Sequence, residues 1–92
     1  MKSIICNEKE CFLCGSTRNL EKHHCFAGGR RKNSEKYGAW VWLCNNHHTG
    51  AEGVHTHNFE ADEFLKVIAQ RELENIMTRD EFRQHFGASH LD

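Results

Sequence analysis

Two spacings constrain this chain more than anything else in it. Cys11 and Cys14 stand as C-x2-C, and thirty residues later Cys44 and His47 stand as C-x2-H. The first spacing lets two thiolates point at one tetrahedral ion while the turn through Gly15 offers backbone N–H groups to the sulfurs. The second pair supplies the remaining two ligands, so Cys11, Cys14, Cys44 and His47 read as a Cys3His site for a structural Zn2+. A redox C-x-x-C pair is the competing reading, but it belongs in a βαβ context that this pattern lacks. A chain of 92 residues buries only a marginal core, and a metal staple answers that need. Disulfides answer it less well, because the odd count of five cysteines leaves a thiol over and short spacings in a reducing compartment favour metal ligation.

No charged n-region followed by an apolar run occupies residues 1–11, and no apolar stretch is long enough to span a bilayer. The expectation is a soluble, cytoplasmic protein without membrane partners. Its formal net charge of −1 hides an asymmetry: residues 1–50 carry eight Lys/Arg against four acids, and residues 51–92 carry four against nine. The metal-rich half is therefore the basic one, as suits a protein presenting one face to phosphates. Two ordinary solvated faces would give the same balance.

With no repeat and no proline, the chain reads as a single domain over residues 1–92, a metal-rich core at 11–57 followed by a helical pair at 58–92. Residues 19–26 and 39–44 are rich in aromatic and β-branched side chains and predict two strands. Residues 27–38, with glycines at both ends and four basic residues between, predict a long exposed loop joining them in a hairpin. After Cys44 there is room for a turn or two of helix. From Asn58, a candidate cap, the positions Ala61, Phe64, Leu65, Ile68, Ala69, Leu73 and Ile76 follow a 3.6 period and predict a helix of roughly five turns with a buried stripe. Thr78 and Glu81 fit a capping box that opens a second helix, stopped at Gly87, with Phe82 and Phe86 facing its partner. Trp40 and Trp42 read as packing residues, and Cys25 as a small buried hydrophobe.

The Cys3His reading leaves His23, His24, His48, His55 and His57 unexplained. Neighbours on a strand point to opposite faces, so His23 and His24 are not expected to bind one ion together. They divide the labour instead: one imidazole can ligate a metal while the other takes a proton near neutral pH.

On these residues the chain resembles the HNH nucleases of the His-Me finger (ββα-metal) superfamily. Zinc-bearing members run C-x2-C, a strand ending in His-His, a loop, a second strand ending in Leu-Cys, then further ligands and a later histidine. Here the corresponding stretches are Cys11 and Cys14, "EKHH", "VWLCNNHH" and "GVH". The chain is also similar to small phage and prophage recombination endonucleases, through "SEKYG" and two helices at the end. The resemblance implies a small α+β fold: a zinc-stapled ββα-metal (HNH) core of β-hairpin and short helix, followed by two C-terminal α-helices. It implies His23, His48 and His55 as ligands of a catalytic divalent ion, with His57 a rival to His55, and His24 as the general base. The ion would be Mg2+ or Mn2+, although an imidazole-rich site also suits Zn2+ or Ni2+. His47 stands where the family usually has cysteine, and Ala39, between Gly38 and Trp40, stands where it has a central asparagine.

The implied reaction is hydrolysis of phosphodiester bonds in DNA, in recombination or processing, with His24 taking a proton from the attacking water. Arg30, Arg31, Lys32 and Lys36 would then hold phosphates, which gives affinity without sequence reading. The alternative is a non-catalytic, zinc-stabilised nucleic-acid-binding module on the same fold, which the alanine at position 39 favours and the spare histidines oppose. The striped C-terminal helices can either pair two copies into a homodimer or cover the hairpin.

Overall fold

The segment WVWLC supplies the β-branched and aromatic residues that suit a pleated, half-buried surface, and in the computed structural model it forms a strand. The structure describes residues 1–91. Strand β1 (Leu20–His24) pairs antiparallel with β2 (Trp40–Cys44), in the register Leu20 to Cys44 through His24 to Trp40. Around this two-stranded sheet stand four α-helices: α1 (Arg31–Tyr37), α2 (Asn45–His48), α3 (Phe59–Leu73) and α4 (Arg79–Phe86). The architecture is small α+β. Among the described residues no helix is long and apolar enough to cross a membrane.

A two-stranded hairpin is marginal by itself, and this one is covered on several sides. The N-terminal segment runs beside β2, where Phe12 N donates to Trp42 O at 2.8 Å and Ile4 N to Gly38 O at 2.9 Å. Beneath the sheet the fully buried residues Val41, Leu43, Leu65, Ala69, Leu73 and Phe82 form one core. Cys25 lies in that core, and burial pushes its thiol up to about 12.

Residues 27–38 are not the exposed loop that the sequence suggests. A 3-10 turn at Gly28–Arg30 leads into α1, whose two turns carry the charged residues. Arg, Lys and Glu are strong helix formers, and Ser34 locks the helix to the end of β1. Its buried hydroxyl donates to Phe26 O at 2.7 Å and accepts from Phe26 N at 3.2 Å. Gly38, at φ 74°, closes α1 in the left-handed region, where a Cβ would collide with the Lys2 carbonyl oxygen. The glycines that look like loop punctuation therefore bracket a helix, and its segment shows no apolar period because only Tyr37 is apolar.

Helix α3 starts where its cap predicts, with Asn58 Oδ1 accepting from Ala61 N at 3.0 Å, but it ends at Leu73, short of five turns. Its buried face is Leu65, Ala69, Gln70 and Leu73. Of the expected stripe Ala61 and Ile68 are only half-buried, and two members are exposed: Phe64 by 53% and Ile76, beyond the helix end, by 59%. Gln70 takes a place in the core because its amide is satisfied there, donating to Glu74 and Ser89 and accepting from His90 N at 2.7 Å. The capping box of α4 is complete, with Thr78 Oγ1 accepting from Glu81 N at 3.1 Å and Thr78 N donating to Glu81 Oε1 at 2.9 Å. Phe82 and Phe86 pack on Phe26, ring centroids 5.4 and 4.9 Å away.

Candidate metal centres

The turn at Cys11 to Ser16 is closed by Gly15 N donating to Cys11 O and Cys11 N to Ser16 O, both at 2.8 Å, with Gly15 at φ 79°. It aims two sulfurs at the far end of β2, where Cys44 caps α2 and His47 sits one turn on. Cys14 Sγ lies 3.8 Å from Cys44 Sγ, and His47 Nδ1 lies 3.2 Å from Cys44 Sγ and 3.9 Å from Cys11 Sγ. Zinc–ligand bonds of about 2.3 Å to sulfur and about 2.0 Å to nitrogen, set tetrahedrally, put ligand atoms roughly 3.5 to 3.8 Å apart. The Cys3His distances scatter around that figure by about 0.4 Å or less, and the group can hold a structural metal such as zinc. None of the five cysteines is in a disulfide. Burial raises the Cys11 thiol, but hydrogen bonds from the backbone of Cys44, Leu13 and Cys14 outweigh it and bring it down to about 7. The other nitrogen of His47, Nε2, lies 3.1 Å from Glu52 Oε2.

A second group forms where β1, α2 and the following turn converge. The bend after α2 depends on Gly53, where a Cβ would stand 2.7 Å from His48 O, and His55 N donates to His48 O at 3.2 Å. His23, His48 and His55 each offer one nitrogen to a shared space, with His23 Nδ1 only 3.3 Å from His55 Nε2. Nitrogens on a common ion, at about 2.1 Å, stand roughly 3.0 to 3.4 Å apart, so this donor set too fits a cation. Burial, with His55 and His48 beside it, holds His23 down at about 3, and burial lowers His55 as well. Both are then neutral, the form that ligates. His23 Nε2 is buried without a hydrogen-bond partner, 3.9 Å from Asp62 Oδ1 on α3, while His48 Nδ1 meets Glu21 Oε1 at 2.7 Å. His57 is exposed and stands outside the group.

His24 is not part of either group. It lines a cleft of about 270 Å³ together with Lys22, Arg31, His48 and His55, floored by Ala27 and Gly28. Its Nε2 lies 2.9 Å from Glu35 Oε1. Lys22 Nζ bonds both oxygens of that carboxylate, at 3.2 and 3.4 Å, and the Met1 amino group lies 3.5 Å from Oε2. The hydrogen bond with His24, then that with Lys22, holds Glu35 down at about 2.

Of the basic residues expected to meet phosphate, Arg31 lines this cleft and Lys32 is exposed. Arg30 turns instead to the end of α4, 3.5 Å from Gln84 O and His85 O, and Lys36 lies over the Tyr37 ring at 5.3 Å. Ala39 is fully buried, so no side chain there orients His24. Sequence reasoning missed the carboxylates Glu21, Glu35, Glu52 and Asp62, and the cleft lysine Lys22. Lys22 had a signal, since it shares a strand face with His24 at i and i+2; a helix over residues 31–37 would have revealed Glu35.

Comparison with protein-family models, with curated proteins and with solved structures finds no match for this chain.

Proposed function

We propose that this chain is a metal-dependent DNA endonuclease of HNH type, with the ββα-metal arrangement formed by β1, β2 and α2, serving the recombination or processing of phage or prophage DNA. The observation that carries the reading is one cleft lined together by His24, outside both ligand groups, by His48 and His55 of the three-histidine group, and by the cations Lys22 and Arg31. A structural zinc knuckle has no use for such a second arrangement. His23, His48 and His55 would hold the divalent ion, which supplies positive charge against the negative charge that develops on the phosphate. Three imidazole ligands suit Zn2+ or Ni2+ better than Mg2+. Lys22 and Arg31 line the approach and attract the phosphate backbone without reading sequence. His24, with a ring nitrogen available, takes the proton of the attacking water. The Cys3His group keeps the turn, β2 and α2 in register so that these side chains converge.

Nicking of supercoiled plasmid by zinc-loaded protein in Mg2+, Mn2+, Ni2+ or Zn2+ tests this. His24→Ala should retain its zinc and its circular dichroism spectrum and lose about 10² to 10⁴ in rate, the usual worth of a general base. A wild type that cuts no duplex, branched or single-stranded DNA with any of these ions would hand the fold to the non-catalytic binding reading.

A further inference from the structure

A histidine acting as a base needs its tautomer fixed, because an imidazole can carry its proton on either nitrogen. We infer that Glu35, on α1, is the positioning residue of His24: its carboxylate accepts the Nε2–H, fixing the tautomer in which Nδ1 carries the free lone pair. The inference rests on the nuclease reading for its purpose, but the pairing itself is a statement about this chain alone.

Three observations carry it. Glu35 Oε1 lies 2.9 Å from His24 Nε2, and an ionised carboxylate only accepts, so Nε2 must be the donor. The carboxylate is itself held, by both of its bonds to Lys22, and Lys22 is fixed in turn with its ammonium 4.1 Å from the Trp40 ring. Finally, the His24 ring, 10% exposed, lines the cleft beside His48 and His55, so with Nε2 given to Glu35 the other nitrogen is left for proton transfer. The helix matters here. Ser34 pins α1 to the end of β1 through Phe26, so the next residue, Glu35, is delivered to the histidine two positions upstream of Phe26. A carboxylate in this place does three things: it orients the ring, selects the tautomer and stabilises the imidazolium that forms when the water proton is taken.

The experiment uses Glu35→Ala and Glu35→Gln in the full chain, loaded with zinc. Long-range 15N–1H correlation spectra report the tautomer of His24 without any need for activity. Wild type should show His24 protonated at Nε2, Glu35→Ala a mixture of tautomers or the Nδ1–H form, and Glu35→Gln, whose amide oxygen can still accept, the wild-type pattern. In plasmid nicking Glu35→Ala should lower kcat about 10- to 100-fold, part of the about 10² to 10⁴ available to a base, with KM for DNA within about twofold of wild type. Glu35→Gln should recover only part of that loss, since its amide can hold the tautomer but carries no charge to stabilise the imidazolium. An unchanged His24 tautomer in Glu35→Ala overturns the pairing. An altered tautomer with kcat unmoved overturns the positioning role, since the bond would then serve structure only. If wild type proves inactive while His24 still loses its tautomer in Glu35→Ala, the nuclease reading fails and the pairing stands.

Discussion

His47 and His48 are consecutive residues of the four-residue helix α2, yet one belongs to a cluster of sulfur and the other to a cluster of nitrogen. Each helical step turns a side chain by about 100°, so α2 sends adjacent histidines to two different candidate ligand groups. The Cys3His group offers four ligand atoms, a complete tetrahedron with no place left for a reactant, as structural zinc sites are built. The other group offers three ligand atoms beside a cleft of about 270 Å³, as sites that must admit a substrate are built. The two share one device. His47 is backed by Glu52 and His48 by Glu21, with Asp62 standing off His23, and a carboxylate on the outer nitrogen fixes which nitrogen faces inward. Two adjacent histidines can thus serve opposite ends because their partners choose the tautomer for each.

The comparison breaks most visibly at α2 itself. His47→Ala should release zinc and unfold the chain, since a structural site in a small domain contributes apparent metal binding of roughly 10 to 16 kcal/mol to folding. His48→Ala should keep its zinc and its fold, and lose only the second ion. Zinc content per chain and far-ultraviolet circular dichroism of both variants decide it. If both variants unfold, or neither does, the two clusters do not differ in the way described.

The closed cluster was legible in the sequence because its four ligands come in two x2 pairs, a spacing imposed by the geometry of one turn and one helix start. The open cluster was legible only through resemblance: His23, His48 and His55 come from a strand, a helix and a turn, and no local spacing joins them. What stayed hidden were charges and a helix. Glu21, Glu35, Glu52 and Asp62 are ordinary members of a charged surface until the fold brings each to an imidazole. Helix α1 escaped because periodicity needs apolar residues and the segment RKNSEKY has one. Phe64 and Ile76 show the opposite error, since both fit a period whose buried end was decided by where α3 stops and by Gln70 finding partners inside.

A smaller effect should separate the two carboxylate partners. Glu21→Gln ought to weaken Ni2+ or Zn2+ binding at the three-histidine group by about 10- to 100-fold, the usual cost of losing an outer partner of a ligating histidine, and leave the Cys3His zinc in place. Glu52 is 66% exposed, where solvent screens the interaction, so Glu52→Gln should cost the zinc site less than about tenfold. Competition titrations against a chelator measure both. Equal losses at both sites would mean that burial does not set the worth of these partners.

The smallest expected effect concerns access. If the open cluster is the one that meets DNA, an arginine beside it should contact phosphate while an arginine beside the closed cluster should not. Arg31 lines the cleft with His48 and His55, whereas Arg18 lines a separate groove with Cys44 and Asn45. Each phosphate contact contributes about 0.9 to the slope of log affinity against log salt, through the counterions released from duplex DNA. Arg31→Ala should therefore flatten that slope by about 0.9 and weaken binding evenly across unrelated sequences, and Arg18→Ala should leave the slope as it is. Salt titrations of a fluorescent duplex with each variant resolve a difference of that size. A slope that responds to Arg18 and not to Arg31 would place the DNA on the side of the staple and separate the cleft from its proposed substrate.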